Sequence, residues 1–459
     1  MVLNQLCRAA RAAATGIAGV VLFAVPSFGE PDTNEASLHA RVFGYGGYEF
    51  GQIVKGQYAF VPNDPSRRLF HYAMEQAVIQ IGGEVTRSDG MSIILVGQGR
   101  LSFPYALPTD GAGAGGFQVY SPRYSWDIHH AEAAYTMGNP DAPIVRIGAG
   151  LFPFKYNPDA RTFGDYLLRI SPRPQFLQTH FDAPYQRLLG LHVSSCWFPL
   201  LPEEVLALRQ DLLLTSEIHL WPLKDFSLSY LVNMTLFRFA DIGAGIMGDR
   251  MFPVNDSLEK PPSPYFSYFR FSFGGTKVML RLALDFKRIL PFKELWGKND
   301  WRIYSEACWN GIKNCAITDT NAKALLQYPG YNDLKKRLPV VFGFNVPTCK
   351  LLDVLSIEGE WWNNNFANSY WGVFNAGYQL NPDPYPYPGG NRFDPYGGRW
   401  HWSVYAKKTV AKNIRIAAQA ARDHTLIETA FSGPSNADPQ EAMDGKGNWG
   451  WMAKIEYGF

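Results

Sequence analysis

The sequence predicts an all-β chain that closes into a transmembrane, antiparallel, up-and-down β-barrel of 14–16 strands. Three observations predict it. Apolar and polar residues alternate along unusually long segments, the polar side of those segments carries charges, and the connections between segments alternate between short and long. The length of 459 residues would also suit two or three soluble domains, so the patterning decides the class.

The alternation is clearest in two segments. From Phe226 to Leu236 every second residue is apolar, and from Val278 to Phe286 an apolar series alternates with a series that holds Arg281 and Asp285. A strand places alternate side chains on opposite faces. Many such segments run for about 10 to 13 residues, whereas ordinary strands have about 5 or 6. A tilted membrane strand needs about 9–11, which these segments supply. A soluble β-sandwich also alternates, but a polar lumen supplies the wet surface that these charges require while the apolar face meets lipid.

The order of the connections supports a barrel with short periplasmic turns and long outer loops. The predicted strands are 40–50, 71–83, 91–103, 124–137, 143–152, 209–221, 225–239, 264–289, 300–310, 338–347, 351–363, 400–410, 412–423 and 448–459. The long connections are 51–70, 104–123, 153–208, 240–263, 311–337, 364–399 and 424–447.

Two segments leave the strand count open. Residues 264–289 are too long for one strand and could bulge or turn at Gly274-Gly275, and residues 187–198 are also strand-like. Counting both gives 16 strands. The alternating connection lengths favour 14, because 16 would put the 240–263 connection on the short-turn side.

The N-terminus predicts a cleaved signal peptide over residues 1–29, followed by one barrel domain over 30–459. Arg8 and Arg11 precede the apolar run Ala12–Val25, and Ser27-Phe28-Gly29 offers small residues for cleavage. The alternative is a buried helix or a membrane anchor, but the run is short for a membrane span.

Composition and motifs indicate no enzyme, no cofactor, no metal and no nucleic-acid partner. The net charge is +2, and neither catalytic signatures nor metal-ligand spacings are present in the sequence. Cys308 and Cys315 flank Asn310-Gly311 and could form a disulfide in an oxidising compartment.

The C-terminal segment from Trp449 to Phe459 places an aromatic or apolar residue at every second position. It resembles the last strand of Gram-negative outer-membrane β-barrel proteins, which ends in an aromatic residue, usually Phe. The resemblance implies that Tyr457 and Phe459 belong to the signal read by the barrel assembly machinery, and that outer-membrane lipids surround the chain.

A second resemblance covers residues 144–192. Ile147–Phe154, followed by Arg187–Leu191, is similar to the strands around the long third loop of specific porins such as phosphate-selective porins. In those proteins the loop folds into the barrel and narrows the pore, which implies that residues 153–208 constrict this one. The candidate constriction residues are Lys155, Arg161, Asp165, Arg169, Arg173 and Arg187. The alternative is an outer loop folded on itself by salt bridges; a slight basic excess points to anions.

The alternation along the strands also predicts a set of residues that face the lumen. They would either line a water-filled pore or only hydrate and brace the barrel wall. They are Arg281, Asp285, Glu358, Glu360 and Arg415, with Gln419, Lys454 and Glu456 beside them. The resemblance implies passive or semi-selective diffusion of small hydrophilic solutes or ions, in a chain of a kind that is often a homotrimer. The alternatives are a non-conducting adhesin or scaffold that binds through its outer loops, and an exported soluble protein that binds polysaccharide.

Overall fold

The structure of the chain is a computed structural model. It describes residues 37–57, 68–104, 123–139, 142–168, 186–197, 205–216, 225–253, 275–291, 293–312, 334–336, 338–362, 400–423, 426–427, 440–441, 443 and 447–458. The predicted signal peptide and Phe459 lie outside these ranges, so both stay predictions.

The chain forms one closed antiparallel barrel of 16 strands, which confirms the predicted fold class. Each barrel strand pairs with its neighbours in the sequence, and β18 closes the ring against β1. The barrel strands are β1 (Leu38–Gln57), β2 (Arg68–Arg87), β3 (Met91–Pro104), β4 (Arg123–Asn139), β5 (Ala142–Phe154), β6 (Gln186–Trp197), β7 (Leu206–Ser216), β8 (Asp225–Leu236), β9 (Ala240–Pro253), β10 (Gly275–Asp285), β11 (Arg302–Ile312), β12 (Val340–Asn345), β13 (Val354–Trp361), β14 (Trp400–Ala411), β15 (Ile414–Arg422) and β18 (Trp449–Gly458).

Among the described residues, few elements lie outside the ring. Two short strands, β16 (Leu426–Ile427) and β17 (Gln440–Glu441), pair with each other, and three single 3-10 turns span Phe286–Arg288, Lys293–Leu295 and Leu334–Lys336. In the part of the chain that the structure describes, no helix is long and apolar enough to cross a membrane.

The strand count resolves at 16, and two predicted connections, 153–208 and 240–263, are wrong because each contains a barrel strand. Strand β6 is the strand-like segment noted at 187–198, whereas β9 was predicted as part of the 240–263 loop because it is rich in glycine. Its glycines instead mark close packing inside the barrel. A Cβ on Gly243 would lie 2.6 Å from Cγ of Arg281, and one on Gly245 would lie 2.9 Å from Cδ2 of Leu167. Strand β10 begins at Gly275, and residues 264–274 lie outside the described ranges.

Short and long connections fall mainly at opposite ends of the barrel, as predicted. The exception to the prediction is the turn between predicted strands 209–221 and 225–239, because the connection 217–224 lies on the side of the long connections. At one end, called here the short-connection end, lie 88–90, 140–141, 198–205, 237–239, 286–301, 346–353 and 412–413. At the other, the long-connection end, lie 58–67, 105–122, 155–185, 217–224, 254–274, 313–339, 362–399 and 423–448. The connection 286–301, which carries two 3-10 turns, is the clearest exception to the length rule.

The two faces of the sheet differ in polarity. On β13 and β14, Ser356, Glu358, Glu360, His401 and Ser403 are buried on the inner face. Their outward neighbours are exposed and apolar, namely Ile357, Trp361, Trp400, Trp402 and Val404. An apolar outer belt around a polar interior is the arrangement that lipid outside and water inside would stabilise.

Replacing Gly343 tests this packing. A Cβ there would lie 2.1 Å from the ring of the buried Tyr304, whereas nothing lies within 4 Å of a Cβ on Gly359 of the neighbouring strand. We expect Gly343→Ala to lower the free energy of unfolding by about 1–3 kcal/mol because the tyrosine ring must move. Urea unfolding in lipid vesicles measures the change. Gly359→Ala is the matched control, and equal effects of the two variants would contradict this packing.

Candidate functional site

The connection after β5 folds into the barrel and crosses it. Residues 155–168, called here the inner loop, contact inward-facing side chains of β11, β13 and β14. In the closed strand order, β13 lies on the side of the ring opposite β5. The inner loop has no helix or strand, so its backbone N–H groups need other acceptors.

Glu306 on β11 supplies the first set of acceptors. Its Oε2 accepts hydrogen bonds from Nδ2 of Asn157 at 2.6 Å and from the backbone N–H of Asp165 at 3.0 Å. Its Oε1 accepts from the hydroxyl of Tyr156 at 2.6 Å and from the backbone N–H of Tyr166 at 2.9 Å. Four donors occupy the four lone-pair positions of one carboxylate. Burial, and then the nearby Glu306 charge, raise the pKa of Tyr156, which keeps its hydroxyl a donor.

Glu358 on β13 supplies the second set. Three consecutive backbone N–H groups donate to it, from Arg161 at 2.5 Å, Thr162 at 2.8 Å and Phe163 at 3.0 Å, and the hydroxyl of Tyr304 donates at 2.6 Å. Successive N–H groups that converge in this way form a concave anion site, which here holds a carboxylate of the wall. Asp165, which is buried, takes a positive φ of 55° where the chain turns from one anchor to the other.

Further bonds hold the inner loop to the wall. Their partners and distances are Thr162 Oγ1 with Ser403 Oγ (2.7 Å), Gln419 Nε2 with Thr162 Oγ1 (3.1 Å), the Tyr166 hydroxyl with Glu360 Oε1 (2.6 Å), Lys277 Nζ with the Leu167 carbonyl (3.3 Å), and Arg302 Nη2 with Asp159 Oδ2 (3.0 Å). The loop is thus fixed to strands β10 to β15.

One side of the inner loop packs into an apolar core inside the barrel. This core comprises Phe152, Phe154, Tyr156, Phe163, Tyr166, Leu167, Leu168, Leu188, Leu213, Leu231, Met247, Met279, Cys308 and Val341. It joins the loop to the wall from β5 to β12. The inner-loop side chains that keep solvent contact are Pro158, which is exposed, and Lys155 and Arg161, which are half-buried.

The predicted constriction residues fall into three groups. Lys155, Arg161 and Asp165 lie on the inner loop, where Lys155 Nζ is 3.6 Å from Oδ2 of Asp165. Arg169 and Arg173 lie outside the described residues. Arg187 lies on β6, where its Nη1 donates to Oδ2 of Asp127 at 2.9 Å. The predicted 153–208 connection is therefore corrected: it ends before Gln186, and a barrel strand follows.

The predicted lumen residues lie on inward-facing positions, but in different surroundings. Arg281 is buried and donates to Oδ1 of Asn233 at 2.9 Å, and Asp285 is buried beside Lys287. Glu358 and Glu360 lie beneath the inner loop and hold it. Arg415 is half-exposed and 3.3 Å from Oε2 of Glu456.

Sequence reasoning missed Glu306 as an anchor. Glu306 lies on the same face of β11 as Tyr304 and Cys308, so the alternation could have shown that it faces inward. Nothing in the pattern shows which inward-facing carboxylate binds a loop. Cys308 is buried, and its predicted partner Cys315 lies outside the described residues, so the disulfide stays a prediction. Tyr457 is exposed on the outer face of β18. Within the described ranges, no group of three His, Cys, Asp or Glu is placed to hold a metal ion.

Comparisons with known proteins give distant likenesses only. No protein-family model and no curated protein matches the chain. Among solved structures, it is similar to Salmonella typhi OmpF in complex with daunomycin (10% identity, 94% of this chain and 100% of that chain covered, TM-score 0.43). It is also similar to a mutant of the Rh. blastica porin, with 8% identity, 92% of this chain and 100% of that chain covered, and a TM-score of 0.40. A third similar structure is the outer membrane channel DcaP of Acinetobacter baumannii, with 11% identity, 93% of this chain and 99% of that chain covered, and a TM-score of 0.39. The fold assignment rests on the closed strand order of this chain.

Removing the charge of an anchor tests the site. In Glu358→Gln one oxygen becomes an NH₂ group, which cannot accept a hydrogen bond. Either the backbone N–H of Arg161, on Oε1, or those of Thr162 and Phe163, on Oε2, therefore lose their acceptor. A hydrogen bond to a charged group contributes about 1.5–3 kcal/mol, so we expect the amides that lose it to exchange at least about tenfold faster. Hydrogen–deuterium exchange with peptide resolution measures this. Glu84→Gln is the control, since Glu84 faces inward but pairs with Arg41; equal loss of protection in both variants would argue against the anchor.

Proposed function

We propose that this chain is an outer-membrane, porin-type channel for passive or semi-selective diffusion of small hydrophilic solutes or ions, without turnover or cofactor. The observation that carries the proposal is the inner loop, which is fixed inside a closed barrel while Lys155 and Arg161 stay accessible to solvent. A rigid loop with charged side chains in a water-filled lumen sets both the bore and the ion preference of a channel.

Supporting features concern the membrane. The outer face is apolar and aromatic, the ring has no open edge, and Ile455 and Tyr457 of the last strand point outward, as expected for a strand that inserts into lipid. In this proposal the short-connection end faces the periplasm, the barrel assembly machinery reads the segment ending in Tyr457 and Phe459, and the chain assembles as a homotrimer.

Lys155, Arg161 and Asp165 form the constriction in this proposal, with Arg187 on the adjacent wall. Arg169 and Arg173 belong to the same proposal as the continuation of the loop. Arg281, Asp285 and Arg415 line or brace the lumen outside the inner loop. The rival function is a non-conducting scaffold, and the aromatic core beside the inner loop favours it because that core fills part of the lumen.

Conductance separates the two functions. We expect stepwise, ohmic currents from refolded protein in a planar bilayer. We also expect Pro158→Cys, once labelled with a bulky charged thiol reagent, to lose about half of its current or more, because Pro158 is the exposed residue of the inner loop. The control is the native chain treated with the same reagent, since it carries the exposed Cys349 on a short connection. Correctly folded but silent protein would overturn the channel and leave the scaffold.

A further inference from the structure

Four ion pairs of the inner wall share one position in the fold. The arginines are Arg41 on β1, Arg146 on β5, Arg209 on β7 and Arg415 on β15, and each lies within five residues of the short-connection end of its strand. Their partners are Glu84 at 2.9 Å, Glu132 at 2.8 Å, Asp211 at 3.1 Å and Glu456 at 3.3 Å.

In every one of these pairs the arginine is the exposed partner. The exposed fraction of the side chain is 70% for Arg41 against 29% for Glu84, and 30% for Arg146 against 4% for Glu132. It is 56% for Arg209 against 2% for Asp211, and 44% for Arg415 against 8% for Glu456. Within these four pairs, water and solutes therefore meet guanidinium groups much more than carboxylates.

Three of the four carboxylates are also engaged by other groups. Asp211 is 2.9 Å from Nε2 of His192, and Glu132 is 3.0 Å from Nε2 of His130. Glu456 is 2.6 Å from Nζ of Lys454, which is itself buried. These contacts hold the acids against the wall.

The asymmetry is not a general result of arginine being long. Nearer the long-connection end, the pair of Arg100 and Asp127 has the opposite order, 7% against 36% exposed. In the pair of Lys454 and Glu49, both side chains are buried, with exposed fractions of 5% and 3%. At the short-connection end itself, Arg302 is enclosed by the carboxylates of Asp159 and Asp241, so it does not belong to this set.

We propose that Arg41, Arg146, Arg209 and Arg415 form a basic vestibule that concentrates small anions at the short-connection mouth and makes the channel anion-selective. The inference rests on the proposed channel function and adds the class of solute. Charges of one sign that line a cleft with low-dielectric walls focus the field and raise the local concentration of counter-ions. Guanidinium groups also bind planar oxyanions through paired hydrogen bonds, so carboxylate-bearing solutes suit this mouth.

The reversal potential in a potassium chloride gradient tests the vestibule. We expect wild-type protein to pass chloride in preference to potassium. The double variant Arg209→Glu with Arg415→Glu should lower the chloride-to-potassium permeability ratio by roughly tenfold. The milder pair Arg209→Gln with Arg415→Gln should lower it less, and it serves if the first variant does not fold.

Arg87→Glu is the matched control. Arg87 lies at the same end of the barrel and is 44% exposed, but it pairs across the sheet with the outward-facing Leu38. Its replacement should leave the ratio unchanged. Conductance with a cation preference, or an equal shift from Arg87→Glu and the vestibule variants, would overturn the vestibule and leave the channel intact. A folded wild-type protein without conductance would instead overturn the channel.

Discussion

The structure depends on two buried carboxylates, those of Glu306 and Glu358, which accept hydrogen bonds from backbone N–H groups of the inner loop. Inside a barrel, a segment without helix or strand must find acceptors for its N–H groups, because an unpaired buried N–H costs about as much as a lost hydrogen bond. Glu306 and Glu358 provide them for Arg161, Thr162, Phe163, Asp165 and Tyr166. The same bonds satisfy carboxylates that would otherwise be costly to bury.

This constraint extends to the wall. Because the inner loop lies against β9 and β10, the wall there needs residues without side chains, and Gly245 gives room to Leu167. On β12, Gly343 gives room to the Tyr304 ring, whose hydroxyl completes the shell of Glu358. Glycines that weaken a strand by themselves therefore serve the packing of the lumen. The β9 glycines made a barrel strand resemble a loop in the sequence.

Patterns of neighbouring residues in the sequence predict most of the fold and part of the candidate site. Period-2 alternation predicts which face of β13 carries Glu358 and Glu360, because a strand fixes that geometry residue by residue. It cannot predict that the N–H groups of residues 161–163 come to Glu358, since that contact joins segments nearly two hundred residues apart. Strand β6 was visible in the sequence as alternation, but the total of 16 strands also requires β9, which alternation did not reveal. The exposure of the four vestibule arginines depends on how neighbouring strands pair, which one sequence does not show.

The inner loop and the vestibule act in series in this account. Solutes meet the exposed guanidinium groups at one mouth and then pass the accessible face of the loop at Lys155 and Arg161. Several carboxylates that would oppose an anion are held by the loop backbone, by wall histidines or by Lys454, among them Glu358, Asp211 and Glu456. Positive charge is thereby presented to the lumen although the net charge of the whole chain is only +2.

A disulfide across the lumen tests the central claim most directly. Oγ1 of Thr162 and Oγ of Ser403 lie 2.7 Å apart, so cysteines at both positions are within the reach of a bond. The account predicts that Thr162→Cys with Ser403→Cys crosslinks under mild oxidation, shifts the gel mobility of the unfolded chain until it is reduced, and conducts like the wild-type protein. Thr162→Cys with Val404→Cys should not crosslink, because Val404 faces outward. Failure of the first pair to crosslink in folded protein, or a crosslinked barrel that no longer conducts, would contradict a loop fixed across an open lumen.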